Sequence, residues 1–129
     1  MTYADVAEGV RAAIAAYTQA LDDGRTDDVV ATFCADGACD IPGLGAHVGH
    51  DALRAAYARW VPRGPQRHLV LNTLITEWTG DEASATSDVV FLLHGEEGWA
   101  VRLVGRYHDT LRREEAGAWR FRRRVAEFS

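Results

Sequence analysis

Four long stretches in the second half of the chain set the tightest limit on its fold. Residues 67–78, 82–94, 99–113 and 118–128 are rich in Val, Leu, Thr, Phe, Tyr and Trp, with Gly-containing turns between them. That texture predicts a meander of four long antiparallel strands. Such a sheet needs apolar cover on at least one face, and the first half of the chain provides it. Val6, Val10, Ile14, Tyr17 and Leu21 recur at steps of three and four, which predicts one helix from Tyr3 to Leu21, ended by Asp23-Gly24. Thr26 reads as the N-cap of a second, short helix that buries Val29, Val30 and Phe33 and ends near Cys34. Asp36-Gly37 reads as a turn, followed by a short strand from Ala38 to Ile41 that carries Cys39. A glycine-rich loop, 42–49, leads to a third helix from Asp51 to Trp60 with Leu53, Tyr57 and Trp60 on one face. Helices first and an antiparallel sheet after make an α+β layout, one domain over 1–129. A sheet this long must curl around its helices, and its concave side then forms a cone-shaped cavity.

Composition narrows the functions. The chain has 129 residues, an apolar fraction of 47% and a formal net charge of −5. These values exclude a disordered chain and argue against nucleic acid as a partner, because phosphate binding needs basic patches. No apolar run approaches the ~20 residues that span a bilayer, and the N-terminus has no signal-peptide character. The expectation is a cytoplasmic protein with two free thiols, without a membrane partner. All 14 basic residues are Arg and none is Lys, so Schiff-base catalysis is unavailable. Arg102, Arg106, Arg112, Arg120, Arg122 and Arg124 share one strand parity, which predicts that they face solvent or a partner subunit.

Four polar residues stand in otherwise apolar surroundings: Tyr17 and Asp22 on the first helix, His68 at one strand start and His94 at the next strand end. Asp23 competes with Asp22 by adjacency. Hairpin geometry relates the two histidines. A Gly80-Asp81 loop sets His68 opposite Leu93 and turns His94 to the other face. A Thr79-Gly80-Asp81 loop, or one bulge, makes His94 a diagonal neighbour of His68 on the same face. A Gly80-Asp81-Glu82 loop sets the two imidazoles directly opposite, about 5 Å apart.

The order of these pieces resembles the SnoaL-like group of the NTF2-like superfamily. The resemblance rests on AYTQALDDGRTDDVVATFCADGACD, the glycine loop and helix, RHLVLNTLITEWTGDEASATSD, and GRYHDTLRREEAGAWRFRRRV. It implies a cystatin-like curved sheet wrapped around N-terminal helices. The scytalone dehydratase branch implies catalytic roles for Asp22, His68 and His94, and the bile-acid 7α-dehydratase branch implies one for Tyr17. The tyrosines that polarise the carbonyl in the scytalone branch correspond here to Leu21 and Ile41, so Tyr17, Tyr57 or Tyr107 must substitute. An Arg near the C-terminal strand corresponds to Arg124 or a neighbour in Arg122-Arg123-Arg124.

The expectation is therefore a cofactor-independent acid–base lyase or isomerase, of the dehydratase or polyketide-cyclase type. Its substrate would be a small hydrophobic cyclic carbonyl compound, bound by Tyr57, Trp60, Asn72, Phe91, Tyr107 and Arg124. A carboxylate bonded to one imidazole nitrogen fixes the tautomer, so that the other nitrogen can remove a proton α to a carbonyl. The alternative is a non-catalytic ligand-binding or accessory protein, with a pocket filled by side chains or with Asp22 and His68 apart. A structural subunit of a ring-hydroxylating oxygenase ranks below both. No cofactor is expected. His47 and His50 lack a matched third ligand, so no metal site is expected either. A homodimer is expected, since an open sheet of long strands carrying Trp78, Trp99 and Trp119 exposes apolar area.

Overall fold

A computed structural model describes residues 1–129. Three helices, α1 (Tyr3–Asp22), α2 (Thr26–Ala31) and α3 (His50–Arg59), pack on one six-stranded sheet. The strands are β1 (Phe33–Ile41), β2 (Gly45–Val48), β3 (Gln66–Trp78), β4 (Glu82–Gly95), β5 (Gly98–Arg113) and β6 (Trp119–Phe128). Their order across the sheet is β2-β1-β6-β5-β4-β3. The sheet is curved and unclosed, with β2 and β3 at its edges. β1 runs parallel to β6, and every other pairing is antiparallel. No helix is long and apolar enough to cross a membrane.

α1 forms where the apolar period places it. Thr2 caps it, taking a hydrogen bond from the backbone N–H of Asp5 while the Asp5 carboxylate accepts from the Thr2 N–H. Its buried stripe, which includes Val6, Val10, Ile14 and Tyr17, lies against the concave face of the sheet. Gly24, at φ 72°, turns the chain after the helix. The last helical residue, Asp22, is thereby set down over the start of β3.

Several local expectations are corrected. Arg25, not Thr26, is the N-cap residue of α2, and it makes no side-chain cap. Cys34 lies in β1, which begins at Phe33 rather than at Ala38. Asp36-Gly37 is an irregularity within that strand, not a turn that precedes it. A side chain at position 37 would meet the carbonyls of Cys34 and Phe121 at 2.9 Å, so only glycine lets the strands approach. The 42–49 segment is not all loop, because Gly45–Val48 folds back on β1 as β2.

The β3–β4 hairpin turns at Gly80-Asp81, with Trp78 opposite Ala83. Two bulges in β3, between Leu71 and Leu74 and between Ile75 and Glu77, then shift the register twice. His68 ends opposite Phe91. One bulge would have brought His94 beside His68, but the second returns it to the opposite face.

Candidate active site

The C-terminus of α1 and the N-terminal end of β3 build the centre of the site. His68 Nδ1 lies 2.6 Å from Asp22 Oδ1, and the backbone N–H of His68 donates to Oδ2 at 2.7 Å. A carboxylate only accepts, so Nδ1 carries the proton and the neutral ring presents Nε2 as an acceptor. Gln66 adds a third bond, its Nε2 donating to Asp22 Oδ1 at 3.1 Å. Phe91 stacks on the imidazole with ring centroids 4.5 Å apart. The carboxylate is sheltered, at 5% side-chain exposure against 16% for His68. Of the two adjacent carboxylates, Asp22 meets the histidine, while Asp23 is solvent-exposed and pairs with Arg25.

His68 forms part of the wall of a cavity of about 300 Å³ between helices and sheet. Twelve of its 15 lining residues are apolar, so the cavity suits an apolar ring system. Tyr17, Tyr57, Trp60, Phe91 and Tyr107 all line it, as do Leu21 and Ile41. Leu44, exposed to solvent, stands beside it. On its other side His68 borders an open groove between α1 and the edge strand β3, together with Arg11, Gln19 and Asp22. The imidazole thus stands in the partition between cavity and groove.

Tyrosines gather at the deep end of the cavity. The hydroxyls of Tyr17 and Tyr57 are 2.6 Å apart, and Tyr57 Oη lies 3.2 Å from Cys39 Sγ. Tyr107 is buried, and its hydroxyl makes no hydrogen bond within the protein. Burial pushes the pKa of Tyr17 and Tyr57 well above the ordinary phenol value and that of Tyr107 up to about 12. All three remain O–H donors at neutral pH. Burial likewise pushes the Cys39 thiol up to about 11, so it is no thiolate nucleophile.

Arg124 departs from both expectations held for it. It neither faces solvent nor lines the cavity. It is 0% exposed, behind the tyrosines, with its guanidinium carbon 3.6 Å from the Tyr107 ring centroid and 4.4 Å from that of Tyr17. Its Nε and Nη2 donate to the two oxygens of Asp109 at 2.9 and 3.1 Å. Burial works against the charge, but Asp109 and the electron-rich rings outweigh it and raise the guanidinium pKa. A register shift between Thr110 and Leu111 leaves Arg122 as the extra residue of β6, and this rotates Arg124 inward. Other members of the arginine set do stay at the surface, among them Arg106, which pairs with Asp88.

Two further residues lie outside the cavity. His94 is turned to the outer face of the sheet, edge-on to Trp99 at 5.1 Å between ring centroids. Asn72 sits at the first bulge of β3, at φ 56°, and donates to Asp88 at 2.8 Å. His47 and His50 each bond a backbone carbonyl, of Leu44 and Phe33 respectively. No three His, Cys, Asp or Glu side chains converge as a metal site would require.

Sequence reasoning passed over two members of this constellation. Gln66 shares strand parity with His68, two residues away. Asp109 shares parity with Tyr107, and a carboxylate at an inward position signals that a buried cation must answer it.

The SnoaL-like domain family model matches residues 3–125. The chain belongs to that family. The family includes isomerases, cyclases and dehydratases. No curated protein sequence matches the chain. Among solved structures it is similar to Rv3472 of Mycobacterium tuberculosis, a protein described as of unknown function. The two share 26% identity over 94% of this chain and 70% of that chain, with a TM-score of 0.86. An NTF2-like protein with a cystatin-like fold from Novosphingobium aromaticivorans shares 25% identity over 94% of this SnoaL-like chain and 80% of its own, with a TM-score of 0.84. ActVI-ORFA from Streptomyces coelicolor, at 22% identity, covers 96% of this chain and 97% of its own with a TM-score of 0.86, a likeness of fold.

Proposed function

We propose that this SnoaL-like protein is a cofactor-independent acid–base lyase or isomerase, of the dehydratase or cyclase kind, acting on a small hydrophobic cyclic carbonyl compound. The observation that carries this reading is the Asp22–His68 pair at the wall of an otherwise apolar cavity. Nε2 of His68 removes a proton from the carbon next to the carbonyl. Asp22, sheltered and fixed by three hydrogen bonds, stabilises the imidazolium that results. Negative charge then develops on the carbonyl oxygen, and the tyrosine end receives it. Tyr107 has a free O–H there, and the Tyr17–Tyr57 pair can turn one O–H toward the ligand. The imidazolium returns its proton to a leaving hydroxyl, giving dehydration, or to another carbon, giving isomerisation.

His94 and Asn72 have no part in this proposal. Arg124 acts only through the rings that it touches. The open cavity and the 2.6 Å contact of Asp22 with His68 favour catalysis over a purely ligand-binding role, for which a filled pocket or a separated pair was the expectation.

The test needs no knowledge of the natural substrate. Exchange of the α-hydrogens of 2-tetralone in deuterium oxide, followed by proton NMR, reports on the base directly. The wild type is expected to accelerate exchange. His68→Ala and Asp22→Asn, each checked for intact circular dichroism, are expected to lose about 10²–10⁴-fold of it. Full activity in His68→Ala would remove the base from the proposal.

A further inference from the structure

Gln66 has so far been only a prop for Asp22, yet its surroundings ask more of it. It is 7% exposed and lines the cavity beside His68. Its amide cannot be turned around, because the group 3.1 Å from the Asp22 carboxylate must be the N–H. The oxygen Oε1 therefore lies on the far side of the amide, where no protein group donates to it, and it is not sealed in as Arg124 Nη1 is. A sheltered amide oxygen without a donor is costly. The neighbouring walls, Leu21 and Phe91, have none to offer. Water can serve it in the empty cavity, and a ligand that displaces that water must bring a donor of its own.

A second acceptor, Nε2 of His68, stands on the same wall. The three tyrosines of the same lining offer donors. The cavity thus presents acceptors at Gln66 and His68 and donors at the tyrosines, among otherwise apolar side chains.

We propose that Gln66 is a specificity-determining residue whose Oε1 accepts a hydrogen bond from a hydroxyl group of the ligand. The ligand class narrows accordingly to a cyclic compound with a hydroxyl toward Gln66 and a carbonyl toward the tyrosines. This rests on the cavity being the ligand site of the proposed function, but not on His68 acting as a base.

The experiment compares binding of 6-hydroxy-1-tetralone with that of 1-tetralone by titration calorimetry. In the wild type the hydroxylated ketone is expected to bind about tenfold more tightly. Gln66→Met, which keeps side-chain length without donor or acceptor, is expected to shrink that ratio severalfold, the readout being the ratio of the two affinities rather than either one alone. A wild-type measurement removes any dependence on that variant's folding: the Gln66 side-chain amide resonance should shift with 6-hydroxy-1-tetralone and not with 1-tetralone. The proposal is overturned if the wild type shows no preference, if the ratio survives in Gln66→Met, or if both ligands weaken equally, which would mean that Gln66 acts only through Asp22. His68→Ala separates the two readings. Retained exchange activity there sinks the base, while a retained hydroxyl preference leaves Gln66 standing.

Discussion

The tyrosines give the clearest consequence at the scale of single residues. Tyr107 ionises only at about 12 in the folded protein, against about 10 for an unfolded phenol, because burial disfavours the phenolate. Its contribution to stability is whole below pH 10. From there the unfolded state gives up the proton first, so stability falls as the pH rises from about 10 toward about 12. Tyr17 and Tyr57 shift in the same direction and add to the loss. Urea titrations between pH 9 and 11 should show a steep fall in midpoint, shallower in Tyr107→Phe. Arg124 leads to a second expectation. Arg124→Met strands a buried Asp109 carboxylate and should cost about 3–5 kcal/mol, readable as a lower denaturation midpoint, whereas the double change with Asp109→Leu should recover much of it.

Elements were legible where one period ran unbroken, and obscure where it broke. The α1 stripe and the four long strands followed directly from apolar spacing, and so did the delivery of Tyr17 and Asp22 by one helix. The position of His68 at a strand start was legible too. What the pattern did not reveal were the bulges, since an extra residue leaves no mark on composition while it inverts every side chain beyond it. The two in β3 cancel one another and leave His94 off the His68 face, and one in β6 buried Arg124. The first β3 bulge can be tested. Asn72 is left-handed there, so Asn72→Ala should destabilise by about 1–2 kcal/mol, and Asn72→Gly by less, in chemical denaturation. Packing between α1 and β6 is as tight. A methyl group at Gly9 would fall 2.1 Å from Trp119 Cδ1, so Gly9→Ala should lower the denaturation midpoint by the equivalent of about 1–3 kcal/mol.

For the whole molecule, the outer face of the sheet is the open question. Leu69 on β3 and Trp99, Val101 and Val104 on β5, two strands separated by β4, are 46%, 50%, 62% and 45% exposed. That much apolar surface side by side calls for cover, and a second copy of the chain is the proposed source. Light scattering behind size exclusion should return twice 14.2 kDa, and Val101→Glu should return the monomer. A wild-type monomer would refute the homodimer. The cavity lies on the other side of the sheet, so pairing across the outer face leaves it open. The place of His68 in the partition between cavity and groove bears on timing. Water in the groove reaches the imidazole without crossing the space that the ligand occupies. The proton that the ring holds between removal and return can therefore trade with water while the ligand still sits in the cavity, so the hydrogen given back need not be the one taken.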